Sequence, residues 1–286
     1  MSASLPKRIA PPPHWRLILR EPFARTGLVI TLAVIVFALA GSWFSPHSPH
    51  ALLGTVYGAP ERAALLGYDY IGQDVLSRVF CGGRSVVWMA AGSVVLALLS
   101  GVGLGLLAGF HRGWIDQVVV WWMDVLHAFP HLILVLLVVS MLGRDPGLIV
   151  GVTALAFVPG VVRLVRGLTL GVVNQEFIEA ARLMGYSRRS VLFVEILPNI
   201  VPALLIHAGT MLSWAVGILA GLNFLGYGVA APAADWGLMI NENRTGLLIQ
   251  PWGATIPAIL IALFALGSNL LAEGAARASS RLEEQG

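Results

Sequence analysis

The chain is short of charge, of lysine and of cysteine. Of its 286 residues only 12% are Asp, Glu, Lys or Arg, while 57% are hydrophobic, and the mean hydropathy is +0.81. That balance excludes an ordinary soluble domain. The single lysine, Lys7, is followed by Arg8. A Walker phosphate loop needs a glycine-rich turn closed by Lys and then Ser or Thr, because the ammonium neutralises the β and γ phosphates. This chain cannot build one, so any ATP that drives it is hydrolysed by another subunit. The one cysteine, Cys81, cannot close an internal disulfide and reads as a small apolar filler near a membrane face.

Other absences narrow the chemistry. His127 and His131 in "DVLHAFPHL" have i, i+4 spacing, but no acid adjoins them and Pro130 lies between. A zinc-protease motif is therefore missing, and the pair reads as two imidazoles in the inner third of a span, with no metal site. The apolar runs are almost free of ionisable groups, with Asp124 about two turns into the third and Glu273 at the inner end of the last. This disfavours a secondary, ion-coupled transporter, whose path is marked by midspan charges. No acid/base pair or nucleophile constellation lies within a span, so no enzyme and no cofactor held by this chain is expected. A net charge of +3 and a pI near 9.4 do not signal nucleic acid, because no basic domain with interleaved aromatics carries them.

What the chain has in quantity is long apolar runs. A hydrocarbon core of about 30 Å needs about 20 apolar residues in helical form, and six such spans are expected over 26–44, 85–110, 117–142, 147–168, 201–222 and 254–272. The fold class is all-α and integral to a membrane, with a tail over 1–25, a transmembrane domain over 26–272 and a second tail over 273–286. "MSASLPKRIAPPPHWRLILREPFAR" sets a polar, proline-broken, basic stretch before the first run, so no cleavable signal peptide is expected. Counting Lys and Arg by side, with Arg163 and Arg166 assigned to the fourth connector, gives 13 against 5. The excess places both termini in the cytoplasm. Trp43, Trp114 and Trp252 at span ends fit interfacial anchors.

Two outer segments, 45–84 and 223–253, are longer than turns. In "YIGQDVLSRVF" the spacing of Ile71, Val75, Leu76 and Val79 predicts a short amphipathic helix on the outer surface. Asp69, Asp74, Arg78, Asp235, Trp236 and Glu242 lie in these segments. The acids either touch an external protein or solvate loops, and the solvated reading is preferred. Gly101, Gly105 and Gly109 recur every four residues, a stripe that admits close approach of another helix.

The loop over 171–200 is the most informative stretch. In "NQEFIEAARLM" the residues Phe177, Ala180, Ala181 and Met184 fall on roughly one side of a helix, opposite Gln175, Glu176, Glu179 and Arg182. Gly185 suits the left-handed residue that ends a helix, Ser187 can cap the next one, and Pro198 and Pro202 are expected to interrupt the path into the fifth span.

"EAARLMGYSRRSVLFVEILPNI" resembles the cytoplasmic EAA loop of ABC-importer permeases: Glu-Ala-Ala, three residues, Gly, nine residues, then Ile-x-Leu-Pro, here "EILP" with Ile196, Leu197 and Pro198. "LGYDYIGQDVLSRVFCGGRSV", "DVLHAFPHLIL", "FLGYGVAAPAADWGLMINENR" and "PWGATIPAILIALFALGSNLLAEGAARA" are similar to further segments of the peptide/nickel permease family. Within it the chain resembles the shorter, C-type partner of a heterodimeric pair in a bacterial inner membrane.

The resemblance implies a type I importer permease with a homologous second permease subunit, two ATPase subunits carrying ATP and Mg, an extracytoplasmic solute-binding protein, and membrane lipid around it. It implies that Glu179, Ala180, Ala181, Arg182, Gly185 and Pro198 couple to the ATPase, with Ala181 facing that partner. The solute it implies is a di- or oligopeptide, the alternative being nickel or a metal chelator. The family usually has Arg where this chain has Gln73, and a loop richer in Pro, Thr and Glu than "AAPAAD". Both departures are expected on the face where solute or binding protein arrives.

Overall fold

The computed structural model describes residues 21–111 and 113–283. Lys7, Arg8, Arg16, Arg20 and Arg112, which enter the orientation count, lie outside the described residues. Ten α-helices are assigned among the described residues: α1 (Pro22–Ala40), α2 (Val75–His111), α3 (Trp114–His127), α4 (His131–Leu142), α5 (Pro146–Val173), α6 (Glu176–Leu183), α7 (Arg188–Ser190), α8 (Leu197–Phe224), α9 (Trp236–Asn243) and α10 (Trp252–Glu283). Five helical stretches are long and apolar enough to cross a membrane, six where the bent pair α3 and α4 counts as one.

Three expectations change. The amphipathic surface helix does not exist as a separate element. Val75 opens α2, whose 37 residues reach about 55 Å at 1.5 Å per residue, well past the hydrocarbon thickness. Nothing between Val75 and Ser85 breaks the helix, and Val75 and Val79 are buried against the protein, while Ile71 stays outside it. The third span is two helices bent by 80°, because Pro130 supplies no amide donor and disfavours a helical Phe129. Pro198 and Pro202, expected to interrupt the entry to α8, do not. Pro198 sits in its first turn, and the chain runs from α7 through a π-helical stretch, Val191–Ile196, as one rod over Arg188–Phe224. A wider i→i+5 turn ahead of the prolines takes up the mismatch in the ladder.

The core is one contiguous apolar cluster that runs through the bundle. Its tightest seam joins α2 to α5. A Cβ added at Gly101 would lie 2.6 Å from the Val161 side chain, one at Gly105 2.6 Å from Val165, and one at Gly109 2.7 Å from Thr169. The four-residue repeat of glycine thus meets a four-residue repeat of β-branched side chains, and the backbones close on each other where lipid would otherwise intrude. Gly103, on another face of the same helix, has nothing within 4 Å of its added Cβ.

That contrast sets a test. Gly105→Ala is expected to lower the melting temperature of the detergent-solubilised protein through overpacking worth about 1–3 kcal/mol. Gly103→Ala should hold or raise it, since Ala is the better helix former. Equal melting temperatures for the two variants would show that the stripe does not carry the packing.

Candidate functional site

The EAA loop forms a helix, a tight turn and a second helix. α6 starts after Gln175 and carries Glu176 and Glu179 in its first turn, where carboxylates suit the positive end of the helix. It ends in a Schellman turn: Tyr186 N donates to Ala181 O at 3.1 Å and Gly185 N to Arg182 O at 3.0 Å. Gly185 has φ +86°, the left-handed conformation that costs a side-chain-bearing residue about 1–2 kcal/mol. Ser187 then caps α7, its Oγ accepting from Ser190 N at 3.2 Å.

The buried face of α6 differs from the sequence expectation. Ile178 and Ala181 are the buried residues, Ala181 at 3% exposure, and the helix packs on the π-helical stretch. Ala181 therefore faces its own protein and is not free for a partner. Phe177 and Met184, expected on the same side of the helix as Ala181, are instead exposed while Ala181 is buried. Leu183 at 83% and Met184 at 69% form an apolar tip, with Glu179, Ala180, Arg182 and Gly185 exposed around it. Sequence periodicity missed this because eight residues are too few to fix a helix phase when apolar residues occur on both sides.

The outer candidates converge, but inward. Asp69, Asp74, Arg78, Asp235 and Trp236 are each at most 1% exposed, so they neither solvate loops nor present a docking surface. Arg78, on the projecting start of α2, donates from Nη1 to Asp69 Oδ2 at 2.5 Å, and its Nη2 lies 2.9 Å from Glu242 Oε2 on α9. Tyr70 donates its hydroxyl to Glu242 Oε1 at 3.0 Å. Asp74 caps α2, accepting from Ser77 Oγ at 2.5 Å, and sits 3.2 Å from His47 Nδ1. Asp235 caps α9 through Leu238 N at 3.1 Å and accepts from Ser85 Oγ at 2.5 Å and Asn223 Nδ2 at 2.8 Å. Gln73, the departure from the family pattern, is buried too. The Trp236 indole donates to Val79 O at 2.9 Å and packs over Gly82 and Gly83, where a Cβ would collide with its ring.

Burial pushes the Asp235 carboxyl above the usual range, against the Ser85 and backbone hydrogen bonds that pull it down. Burial does the same to Glu242, opposed by Arg78, and with Glu242 it pushes the Tyr70 phenol up to about 12.

A third constellation was only half legible. His127 and His131 flank the bend, ring centroids 5.9 Å apart, and His131 lies 5.6 Å from the Phe157 ring. They share a cavity of about 230 Å³ with His207, Thr210 and Trp214 of α8. His207 was overlooked, although a single imidazole in "LLIHAGT" was the signal. Among the described residues no three His, Cys, Asp or Glu are placed to hold a metal ion. Asp124 of α3 meets Arg163 of α5 at 2.6 Å, and Arg166 grips Asp116 through Nε at 2.5 Å and Nη2 at 2.7 Å. Both arginines, read from sequence as connector charges, sit inside α5. The excess of basic residues on that side survives without them.

A helical membrane bundle with a broken span and an external helix–turn–helix loop is the architecture of a transport permease. The chain belongs to the family of binding-protein-dependent transport system inner membrane components, which it matches over residues 101–282; it is a permease subunit of an ABC importer. It is 34% identical to the glutathione transport system permease protein GsiD of Pectobacterium atrosepticum, over 91% of this chain and 87% of the relative. It is also 34% identical to the di/tripeptide transport system permease protein DppC of Pseudomonas aeruginosa, over 95% and 93% of the two chains. Among solved structures, a chain from inward-facing conformations of the MetNI methionine ABC transporter superposes with a TM-score of 0.53 at 18% identity, covering 70% of this chain and 96% of that one. This likeness is one of fold.

Removing the guanidinium tests the outer cluster. Arg78→Ala leaves Asp69 and Glu242 buried without a cation and is expected to cost about 3–5 kcal/mol of thermal stability. Because the Glu242 carboxyl binds its proton more tightly folded than unfolded, its contribution is full at low pH and lost as pH rises through the elevated value. The stability of Glu242→Gln relative to wild type should therefore improve from pH 5 to pH 8, read from melting curves at each pH. A difference that does not change with pH would show that Glu242 is charged throughout.

Proposed function

We propose that this chain is one half of the translocation pathway of a peptide importer, with α6 receiving movement from a separate ATPase subunit. The carrying observation is the apolar tip at Leu183 and Met184, held outside the fold by the Schellman turn. Exposed apolar side chains on a rigid turn suit a groove in another protein. The two termini and this loop are assigned to the cytoplasm by the charge count. A homologous permease subunit would complete the path, two ATPase subunits would supply ATP and Mg, and a binding protein would deliver solute outside. Relatives named for glutathione and for di- and tripeptides favour a short peptide as that solute.

The wall of the pathway follows from cost. Asp124 and Arg163 are about half exposed, and a charge facing lipid is expensive. The α3–α4–α5–α8 face that carries them and the three histidines is therefore assigned to the second permease half and the water between, and the apolar faces to lipid.

Cysteine variants and a substitution at the turn test the coupling. In a Cys81→Ala background, Leu183→Cys is expected to crosslink to the ATPase subunit of the assembled complex, and Ala181→Cys is not. Gly185→Val, whose Cβ meets nothing within 4 Å, should act through backbone strain alone and abolish solute-stimulated ATP hydrolysis with expression intact. Normal stimulation in that variant, or crosslinking only at Arg277→Cys, would place the dock elsewhere.

A further inference from the structure

The inner end of α2 and the EAA loop enclose a two-part cleft that the importer reading leaves without a role. One part, about 360 Å³, is walled by Phe110, His111, Arg182, Tyr186, Arg188 and Val191. The other, about 580 Å³, is an apolar groove between Leu99, Leu106 and Leu107 of α2 and Leu192 and Phe193 of the π-helical stretch, with Arg189 on its edge. His111 and Arg188 line both parts. A cationic chamber therefore continues into a greasy trough.

Among the described residues the charges of the chamber have no carboxylate partner: the ion pairs involve other groups, and none includes Arg182, Arg188 or Arg189. The Arg182 guanidinium lies over the Phe110 ring at 5.7 Å, which orients it without neutralising it. Two guanidiniums line the chamber and a third edges the trough, a concentration of positive charge that favours an anion among them. The trough sets the rest of the ligand. From His111 back to Leu99 the helix rises about 18 Å, close to the depth of one leaflet of a core about 30 Å thick. Leu99 and Leu107 are exposed along it.

We propose that this cleft binds an anionic phospholipid of the cytoplasmic leaflet, its phosphate among Arg182, Arg188 and Arg189 and one acyl chain along α2. The leaflet assignment rests on the cytoplasmic placement of α6; the binding chemistry does not. Because Arg182 belongs to α6 and Leu106 to α2, a bound lipid joins the coupling helix to the transmembrane bundle. Basic clusters at the membrane surface gain affinity for anionic headgroups charge by charge.

The test uses the assembled complex and phosphatidylglycerol as probe, with phosphatidylcholine as the neutral control, and native mass spectrometry to count retained lipid. Wild type should retain phosphatidylglycerol preferentially. The pair Arg188→Gln and Arg189→Gln should weaken that retention at least roughly tenfold. Gly103→Phe should do the same by filling the trough, since an added Cβ there has nothing within 4 Å, and inorganic phosphate should not displace the lipid. Equal retention of both lipids, displacement by free phosphate, or undiminished retention in either variant would overturn the proposal. Failure of the Leu183→Cys crosslink with lipid retention intact would sink the coupling reading and leave the lipid site standing.

Discussion

A guanidinium with almost no water around it must have its anions brought to it, and Arg78 imposes that condition on the whole outer half of the protein. Its partners come from two segments far apart in sequence, Asp69 before α2 and Glu242 on α9. Moving either segment would strand a buried charge, which is far more costly than losing a surface contact. The tie explains why about thirty irregular residues can stand outside the membrane without a sheet or a long helix of their own. It also explains why α2 projects so far: the helix is the post to which both outer segments are fastened. Trp236 completes the fastening by lying over Gly82 and Gly83, where no side chain obstructs its ring.

How much of this was legible depended on whether the signal was local. Gly101, Gly105 and Gly109 announce their face through spacing alone, and Gly185 announces a helix end because few other residues tolerate its conformation. The outer acids carried no such signal. A carboxylate in an outer loop is usually solvated, and nothing within twenty residues of Asp235 says that Ser85 will reach it. The same holds for Arg163 and Arg166. Placed near a span end they count as connector charges, and only the approach of α3 to α5 reveals Asp124 and Asp116 as their partners. Pairing across helices is decided by packing, which the sequence encodes only collectively.

The prolines mark the limit from the other side. Pro130 and Pro198 are equally conspicuous, yet one bends its helix by 80° and the other does not interrupt its helix at all. The difference lies upstream. Before Pro130 the helix ends on His127 with a short non-helical link, whereas before Pro198 a π-helical stretch absorbs the missing donor and keeps the axis continuous. A proline specifies a lost hydrogen bond; the preceding turn decides what the loss becomes.

On the proposed coupling role of the loop, that continuity sets how movement at α6 would reach the membrane interior. From Arg188 the chain is helical without interruption to Phe224, and His207 and Thr210 of the imidazole cavity lie midway along this rod. A force applied to α6 at Leu183 would pass through the hydrogen-bonded Schellman turn and enter the rod three residues beyond Gly185. The rod would respond by tilting or turning as a unit, since interrupting it would break helical hydrogen bonds in a low-dielectric medium. His127 and His131 sit on the opposite, broken element, where the bend at Pro130 makes change of angle easier. A rigid wall carrying one imidazole therefore faces a jointed wall carrying two. In such a pair, displacement of the rigid wall alters the cavity between them without requiring either α3 or α4 to unfold.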